Sequence, residues 1–332
     1  MKAYLLDRYK QDALRVGDIP TPEVGDDDVL IEVHAAGLNL LDSKIRNGEF
    51  KAILPYKLPI ALGHDVAGVV VRVGRNVRGF KSDDAVYSRV PDGRIGTLAE
   101  FIAVRAQDVA PKPTNLTMVE AASIPLVGLT AWQALVERAG IRKGKKVLIH
   151  AGSGGVGTFA IQLARHLGAT VATTASVTNK DLVTSLGADV FIDYRKDAFE
   201  KTISGYDVVL NSLDGDTLEK SLDVLKPGGQ LISISGPPDV VFAKQQGLNW
   251  LLQLAIRLIS SSIRRKARAR QVNYAFLFMK ADGAQLREIT TLLEAGTIKP
   301  VIDRVFPFNA VNEALAYIET GRAKGKVVEQ LK

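Results

Sequence analysis

Two places in the chain combine residue types and spacing that have chemical meaning. The first is Gly152-Ser153-Gly154-Gly155-Val156-Gly157, inside "KVLIHAGSGGVGTFAIQLARHLGA". Its glycines keep the spacing G-x-G-x-x-G between a β-branched apolar run and an amphipathic one. In a strand-turn-helix, Gly152 permits the tight turn, Gly154 lets backbone approach a pyrophosphate, and Gly157 lets the helix pack closely on the strand. With Ser153, Gly155 and Val156 the turn delivers free N–H groups and a partial positive charge to phosphates. The second place is His64 in "ALGHDVAGVV", beside Asp65, with Asp42 upstream. A catalytic zinc takes three protein ligands and an open position, and the chain has no cysteine to help supply them. One histidine and two hopeful carboxylates fall short, so His64 reads as a packed or hydrogen-bonded histidine.

The residues after the glycine turn choose between dinucleotides. An NAD site places Asp or Glu about 20 residues beyond it to hold the ribose 2′-hydroxyl. Here no acid stands between Gly157 and Asp181; Thr173, Thr174, Ser176 and Lys180 occupy that stretch. Hydroxyls and a lysine suit a 2′-phosphate, which points to NADPH.

These residues need a scaffold. From about Ile141 apolar runs alternate with helical ones: "KKVLIHA", "VGTFAIQLARHLG", "ATVATTAS", a helix near Lys180–Leu186, "DVFIDY", "YDVVLNSL", a helix over "DTLEKSLDVL", then "GQLISISG". Strands alternating with helices predict an α/β fold with a doubly wound parallel sheet of Rossmann type. The first 110 residues read instead as β-rich, through "VLIEVHAAG", "VAGVVVRVG", "DAVYS" and "LAEFIAVR". The tail from Asp282 carries two helices and a closing strand, "GKVVEQL". The expected division is a β-rich domain of 1–118 with 283–332 and a cofactor domain of 119–282.

Composition sets further bounds. Of 332 residues 46% are hydrophobic, and the absence of cysteine excludes disulfides and thiolate metal sites. No secretory h-region opens the chain and no apolar run approaches the roughly 20 residues that span a bilayer, so a cytoplasmic location is expected. The net charge of +7 is locally concentrated, with six basic residues in Arg257–Arg270. They follow a dense apolar run in "GLNWLLQLAIRLISSSIRRKARAR", residues 247–270. Three readings stay open for this insert: a helix buried against the cofactor domain or a second copy, a surface helix docking on anionic lipid, or a lid over substrate. Nucleic-acid binding is excluded as a fit, because no aromatics interleave with the arginines.

With "AAGLNLLDSKIRNG", "LGHDVAGVVVRVG", "AASIPLVGLTAWQAL", "AGSGGVG", "LGADVFIDYRKD", "LKPGGQLISISG" and "GRAKGKVV", the chain resembles the medium-chain dehydrogenase/reductase superfamily over nearly its whole length. It looks most like the zinc-free quinone oxidoreductase and alkenal/enone reductase branch. The resemblance implies a GroES-like catalytic domain beside the Rossmann domain, and a homodimer through the edge of the cofactor sheet. Zinc-dependent members carry Cys-His in the segment matching "GLNLLD"; here Asn39 and Leu40 stand there, and only His64 survives of the metal set. By resemblance, Asn39, Asp42 and Thr130 lie beside the nicotinamide, and Tyr194 lies against the adenine and 2′-phosphate. Tyr56 in "LPYKLP" is the candidate proton donor, with solvent as the alternative.

Without zinc no Lewis acid polarises a plain carbonyl. Quinones and α,β-unsaturated carbonyls, which delocalise the charge a hydride brings, then become the expected substrates. The rivals are a residual metal-dependent alcohol dehydrogenase built on His64, and a non-catalytic NADPH-sensing or lipid-binding protein that kept the fold.

Overall fold

The computed structural model describes residues 1–213 and 215–332 and divides the chain into two compact units, Met1–Leu129 with Lys280–Lys332, and Thr130–Met279.

The second unit is built on six parallel strands: Lys146–Ile149, Thr170–Ala175, Val190–Asp193, Tyr206–Asn211, Leu225–Ser233 and Asn273–Phe276. Numbered one to six along the chain, they lie in the order 3-2-1-4-5-6. Their runs of Val, Ile, Leu and Ala are buried because helices cover a parallel sheet on both faces. The strand order reverses between Lys146–Ile149 and Tyr206–Asn211. The crevice outside the carboxyl ends of strands at such a point is where doubly wound sheets bind ligands. The helix expected over "DTLEKSLDVL" is shorter than its sequence implies, running Asp216–Lys220. Residues 221–224 turn the chain into the next strand, and Leu222 and Val224 are buried in the core under the sheet.

The segment 247–270 forms two helices, Trp250–Ile259 and Ser261–Ala269. The first is not buried within its own unit: of its ten residues only Ile256 is buried. Asn249 caps it, its Oδ1 accepting from Leu252 N–H at 3.0 Å. The second helix does pack down, with Ile263 and Ala267 in the core beneath the sheet.

The first unit holds a seven-stranded sheet in which Asp28–Leu38 is central. Asp65–Val73, Phe101–Arg105 and Lys326–Gln330 pair with it antiparallel, and Ala85–Arg89 continues from Asp65–Val73. Ile302–Pro307, absent from the sequence expectations, runs parallel to Lys326–Gln330. Leu6, Ile31, Leu38, Ile45, Leu62, Val66, Val70 and Leu98 are buried in the core beneath. Three registers matter for the chemistry. Gly37 stands opposite Asp65 on one side and Val328 on the other, and Leu38 stands opposite Val327. One further step brings Lys326 level with Asn39, where the chain leaves the sheet for the helix Leu40–Arg46.

Candidate active site

In the second unit the strand Lys146–Ile149 ends in the glycine turn, and its three motif glycines prove unlike one another. A Cβ on Gly152 would lie 2.0 Å from Thr173 Oγ1, and one on Gly157 would lie 2.3 Å from Ala151 O. Both positions are closed by the protein's own packing. Gly154 has an ordinary extended backbone (φ −81°, ψ 174°), and a Cβ there would meet only Ala151 O, at 3.4 Å. Among the described residues nothing requires glycine at 154. The left-handed residue of the turn is Ala151 (φ 51°) rather than Gly152, so the tight turn expected at Gly152 is made one residue earlier. Gly154 is the N-cap of the helix Gly155–His166, and among the described residues no side chain caps that end. The first N–H groups of a twelve-residue helix are therefore left for another acceptor.

Ser153 Oγ accepts from Asn179 Nδ2 at 3.0 Å, tying the turn to the loop after the second strand. Asn179 was not among the expected residues, because nothing local marks it. Ser176 is buried, its Oγ 2.9 Å from Thr178 Oγ1. The parallel register places Ala175 beside Asp193, which brings Ser176 and Tyr194 out at neighbouring strand ends. Tyr194 is 57% exposed, with the Arg195 guanidinium 5.7 Å from its ring centre. Lys180 is exposed and lies 5.9 Å from the Phe191 ring centre. Two cations and an exposed ring thus stand at these strand ends. Thr130 is buried in the helix Pro125–Trp132.

In the first unit Asn39, Asp42 and His64 form one buried network. Asn39 caps the helix Leu40–Arg46, and its N–H donates to Asp42 Oδ2 at 2.9 Å. Asp42 Oδ1 lies 2.7 Å from His64 Nδ1, with both side chains fully buried. The cap and the histidine together use both carboxylate oxygens. The Asn39 amide is equally committed: Nδ2 donates to Gly37 O at 3.1 Å and Asp65 Oδ2 at 3.0 Å.

Sequence reasoning left out Lys326, which closes this network. Its Nζ donates to Leu38 O at 2.9 Å, Asn39 Oδ1 at 2.5 Å and Asp65 Oδ2 at 3.2 Å, and the residue is only 5% exposed. The available signal was a lysine heading the buried run of "KVVEQ", since a cation is buried only when paired. Asp65 turns away from His64; its other oxygen accepts from Leu126 N–H at 2.7 Å. Complete burial raises the Asp65 pKa, and the Lys326 charge opposes that rise.

Beyond His64 the polar groups are less fully paired. His64 Nε2 lies 3.8 Å from Asp92 Oδ1 and makes no hydrogen bond among the described residues. Asp92 also accepts from Arg89 Nη2, while Arg89 Nε and Nη1 and the buried Tyr56 hydroxyl find no partner among the described residues. Burial and the Asp92 charge push the Tyr56 pKa well above its ordinary value. Tyr56 therefore stays protonated and is available as a hydrogen-bond donor at working pH. Such orphaned buried groups are rare in folded proteins and concentrate where function needs them.

Comparison with known proteins identifies the family of the chain. Residues 25–114 match the alcohol dehydrogenase GroES-like domain family, and residues 186–328 match the zinc-binding dehydrogenase family. The chain is 39% identical to 2-methylene-furan-3-one reductase of Solanum lycopersicum, over 99% of this chain and 78% of that one. It is 37% identical to the chloroplastic NADPH-dependent alkenal/one oxidoreductase of Arabidopsis thaliana, over 99% and 79%. The solved quinone oxidoreductase of Coxiella burnetii superposes with a TM-score of 0.87 at 32% identity, covering 100% of this chain and 99% of that one. The chain belongs to the medium-chain dehydrogenase/reductase superfamily, on its quinone oxidoreductase and alkenal/one reductase branch.

Proposed function

We propose that the protein is an NADPH-dependent reductase of quinones or α,β-unsaturated carbonyls that works without a metal. The observation that carries the metal-free reading is Lys326. Its ammonium sits among Leu38 O, Asn39 Oδ1 and Asp65 Oδ2, so a cation is already built into the place where Asn39 stands. A second cation bound against it is repelled. The donor set fails as well: His64 Nδ1 is engaged by Asp42, and among the described residues no three His, Cys, Asp or Glu side chains group as metal ligands. A zinc centre does not fit these residues, which speaks against the rival alcohol dehydrogenase reading.

NADPH does fit. Gly154 keeps open a cradle that a side chain would fill, at an uncapped helix N-terminus. Ser176, Lys180, Tyr194 and Arg195 offer donors, charge and a ring at the strand ends, and no carboxylate stands between Gly157 and Asp181 to select the 2′-hydroxyl. When bound, NADPH supplies the hydride. The relative from Arabidopsis thaliana is named for NADPH and for alkenals and enones, which supports the same assignment.

The chain's own residues then orient and protonate. Both amide donors of Asn39 and both carboxylate oxygens of Asp42 are engaged within the protein, so their proposed role is to hold the end of Asp28–Leu38 and to fix His64. Tyr56, His64 Nε2 and Arg89 are the groups free to meet a substrate oxygen, with Tyr56 as donor. The reading includes a homodimer along the edge strand Asn273–Phe276.

The test is NADPH consumption by chelator-treated protein, with a small quinone, an enal and a plain aldehyde in parallel, and NADH as the competing cofactor. Turnover of quinone or enal, but not aldehyde, is expected. Activity that returns only with added zinc refutes the metal-free reading, and tight NADPH binding with no turnover of any substrate favours the sensing alternative.

A further inference from the structure

We propose that the helices Trp250–Ile259 and Ser261–Ala269 form a docking surface for anionic lipid bilayers, holding the protein peripherally at a membrane. The first helix turns its apolar side outward. Trp250, Leu254 and Leu258 recur every four residues on one face, and Leu251 and Ile259 widen it. Their exposures are 71%, 46%, 65%, 58% and 63% respectively. Five large apolar side chains left in water on one short helix exceed the scattered exposure that is normal for a monomer. Ile256, on the opposite face, is the residue that anchors the helix to its unit.

Charge identifies the occupant. From Val240 to Ala281 the chain has no acidic residue, but it carries Lys244, Arg257, Arg264, Arg265, Lys266, Arg268, Arg270 and Lys280. Lys266 and Arg270 are paired, with Glu219 and Asp223. Arg257, Arg264, Arg265 and Arg268 have no ion pair among the described residues. Arg257 falls at the edge of the apolar face. Ser260 alone separates that helix from the next, whose Ile263 and Ala267 are buried while Ser261, Arg265 and Arg268 occupy the opposite, exposed side. A basic rim around an apolar stripe is complementary to phosphate headgroups over acyl chains. A second copy meeting this face would bring the same unpaired arginines together, which like-charge repulsion disfavours. Ten residues of helix reach about 15 Å, half the hydrocarbon thickness, so the helix lies in the interface and does not cross it. Among the described residues no helix is long and apolar enough to span a membrane.

The test is co-sedimentation of the full chain with vesicles of phosphatidylcholine alone and of phosphatidylcholine with one third phosphatidylserine. Binding to the second but not the first is expected, weakened by salt, with a blue shift of Trp250 emission. Arg265→Ser with Arg268→Ser lowers the partition coefficient about 25-fold, at about fivefold per arginine. Trp250→Ser with Leu258→Ser abolishes binding while the melting temperature holds, because all four positions are exposed. No partition onto anionic vesicles at low salt overturns the proposal, as does partition that survives both double variants. If Trp250→Ser with Leu258→Ser instead converts a dimer to a monomer, the occupant is a second copy and the lipid assignment is wrong.

Discussion

The three glycines of the turn make a discriminating experiment, because the structure gives each a different reason to lack a side chain. Gly157→Ala forces a methyl to 2.3 Å from Ala151 O and 2.7 Å from Gly152 Cα. Both are backbone atoms that cannot swing aside, so the fold should lose about 3 kcal/mol or more. Gly152→Ala meets the Thr173 hydroxyl at 2.0 Å, and that hydroxyl donates to Ile149 O at 2.7 Å. It should also destabilise, and Thr173→Ala should partly rescue it, because the closest contact is then gone and the Thr173 Cβ at 3.0 Å and Ile161 Cδ1 at 3.1 Å remain in the way. Gly154→Ala meets nothing closer than 3.4 Å on an allowed backbone. Its stability should stay within about 0.5 kcal/mol of wild type, with a small gain from a less flexible unfolded chain. Its cofactor affinity should nevertheless fall. A methyl in the cradle costs at least one charge-assisted hydrogen bond to phosphate, about 1.5–3 kcal/mol, or roughly 10- to 150-fold in Kd. Thermal melts without cofactor and titrations of NADPH fluorescence separate the two effects. The reasoning is refuted if Gly154→Ala binds NADPH like wild type, or if it melts as early as Gly157→Ala.

Two further predictions concern buried charge. Lys326→Met leaves the Asp65 carboxylate with no cation beside it, which should cost about 3–5 kcal/mol in urea unfolding; adding Asp65→Asn should recover most of that. The Asp65 pKa is already raised by burial, so its contribution to stability is present at low pH and lost as pH rises through the folded value; in Lys326→Met this loss should steepen. His150 has its pKa lowered by burial from 6.5 to about 4. Ser221 Oγ–H is spent on Thr217 O at 2.6 Å, so His150 Nε2–H donates to Ser221 Oγ at 2.9 Å and Nδ1 accepts from Thr174 at 3.1 Å. Protonation breaks the bond to Thr174. A depressed folded pKa means that stability is whole above pH 6.5 and that about 3 kcal/mol drains away as pH falls toward 4. In His150→Gln that segment of the pH–stability curve should flatten, and an unchanged curve would refute the depressed pKa of His150 as its source.

What was legible in the sequence, and what was not, follows from how far apart the deciding residues are. The parallel sheet and glycine turn rest on patterns within about thirty residues, and such patterns survive in one dimension. The exposed face of Trp250–Ile259 was half legible: its period marks an amphipathic helix, but periodicity does not say which side faces water, and the structure turns the apolar side outward. The network at Asn39 was legible in part: Asn39, Asp42 and His64 stood out along the chain, but their closure by Lys326 did not. Its members come from the end of one strand, the start of another and a strand near the C-terminus, with Lys326 lying 287 residues from Asn39 and 261 from Asp65. Register assembles them: once Val327 pairs with Leu38 and Asp65 with Gly37, Lys326, Asn39 and Asp65 must meet. Read along the chain, His64 looked like the survivor of a metal site whose other ligands were gone. Read across the sheet, that account is incomplete, because His64 is held by Asp42 and the neighbouring position has a cation of its own. A buried ammonium is costly unless every proton finds an acceptor, and here three acceptors meet it. On this argument the lysine is part of the site's electrostatic design, and a substitution restoring cysteine at position 39 alone should not restore zinc binding while Lys326 remains.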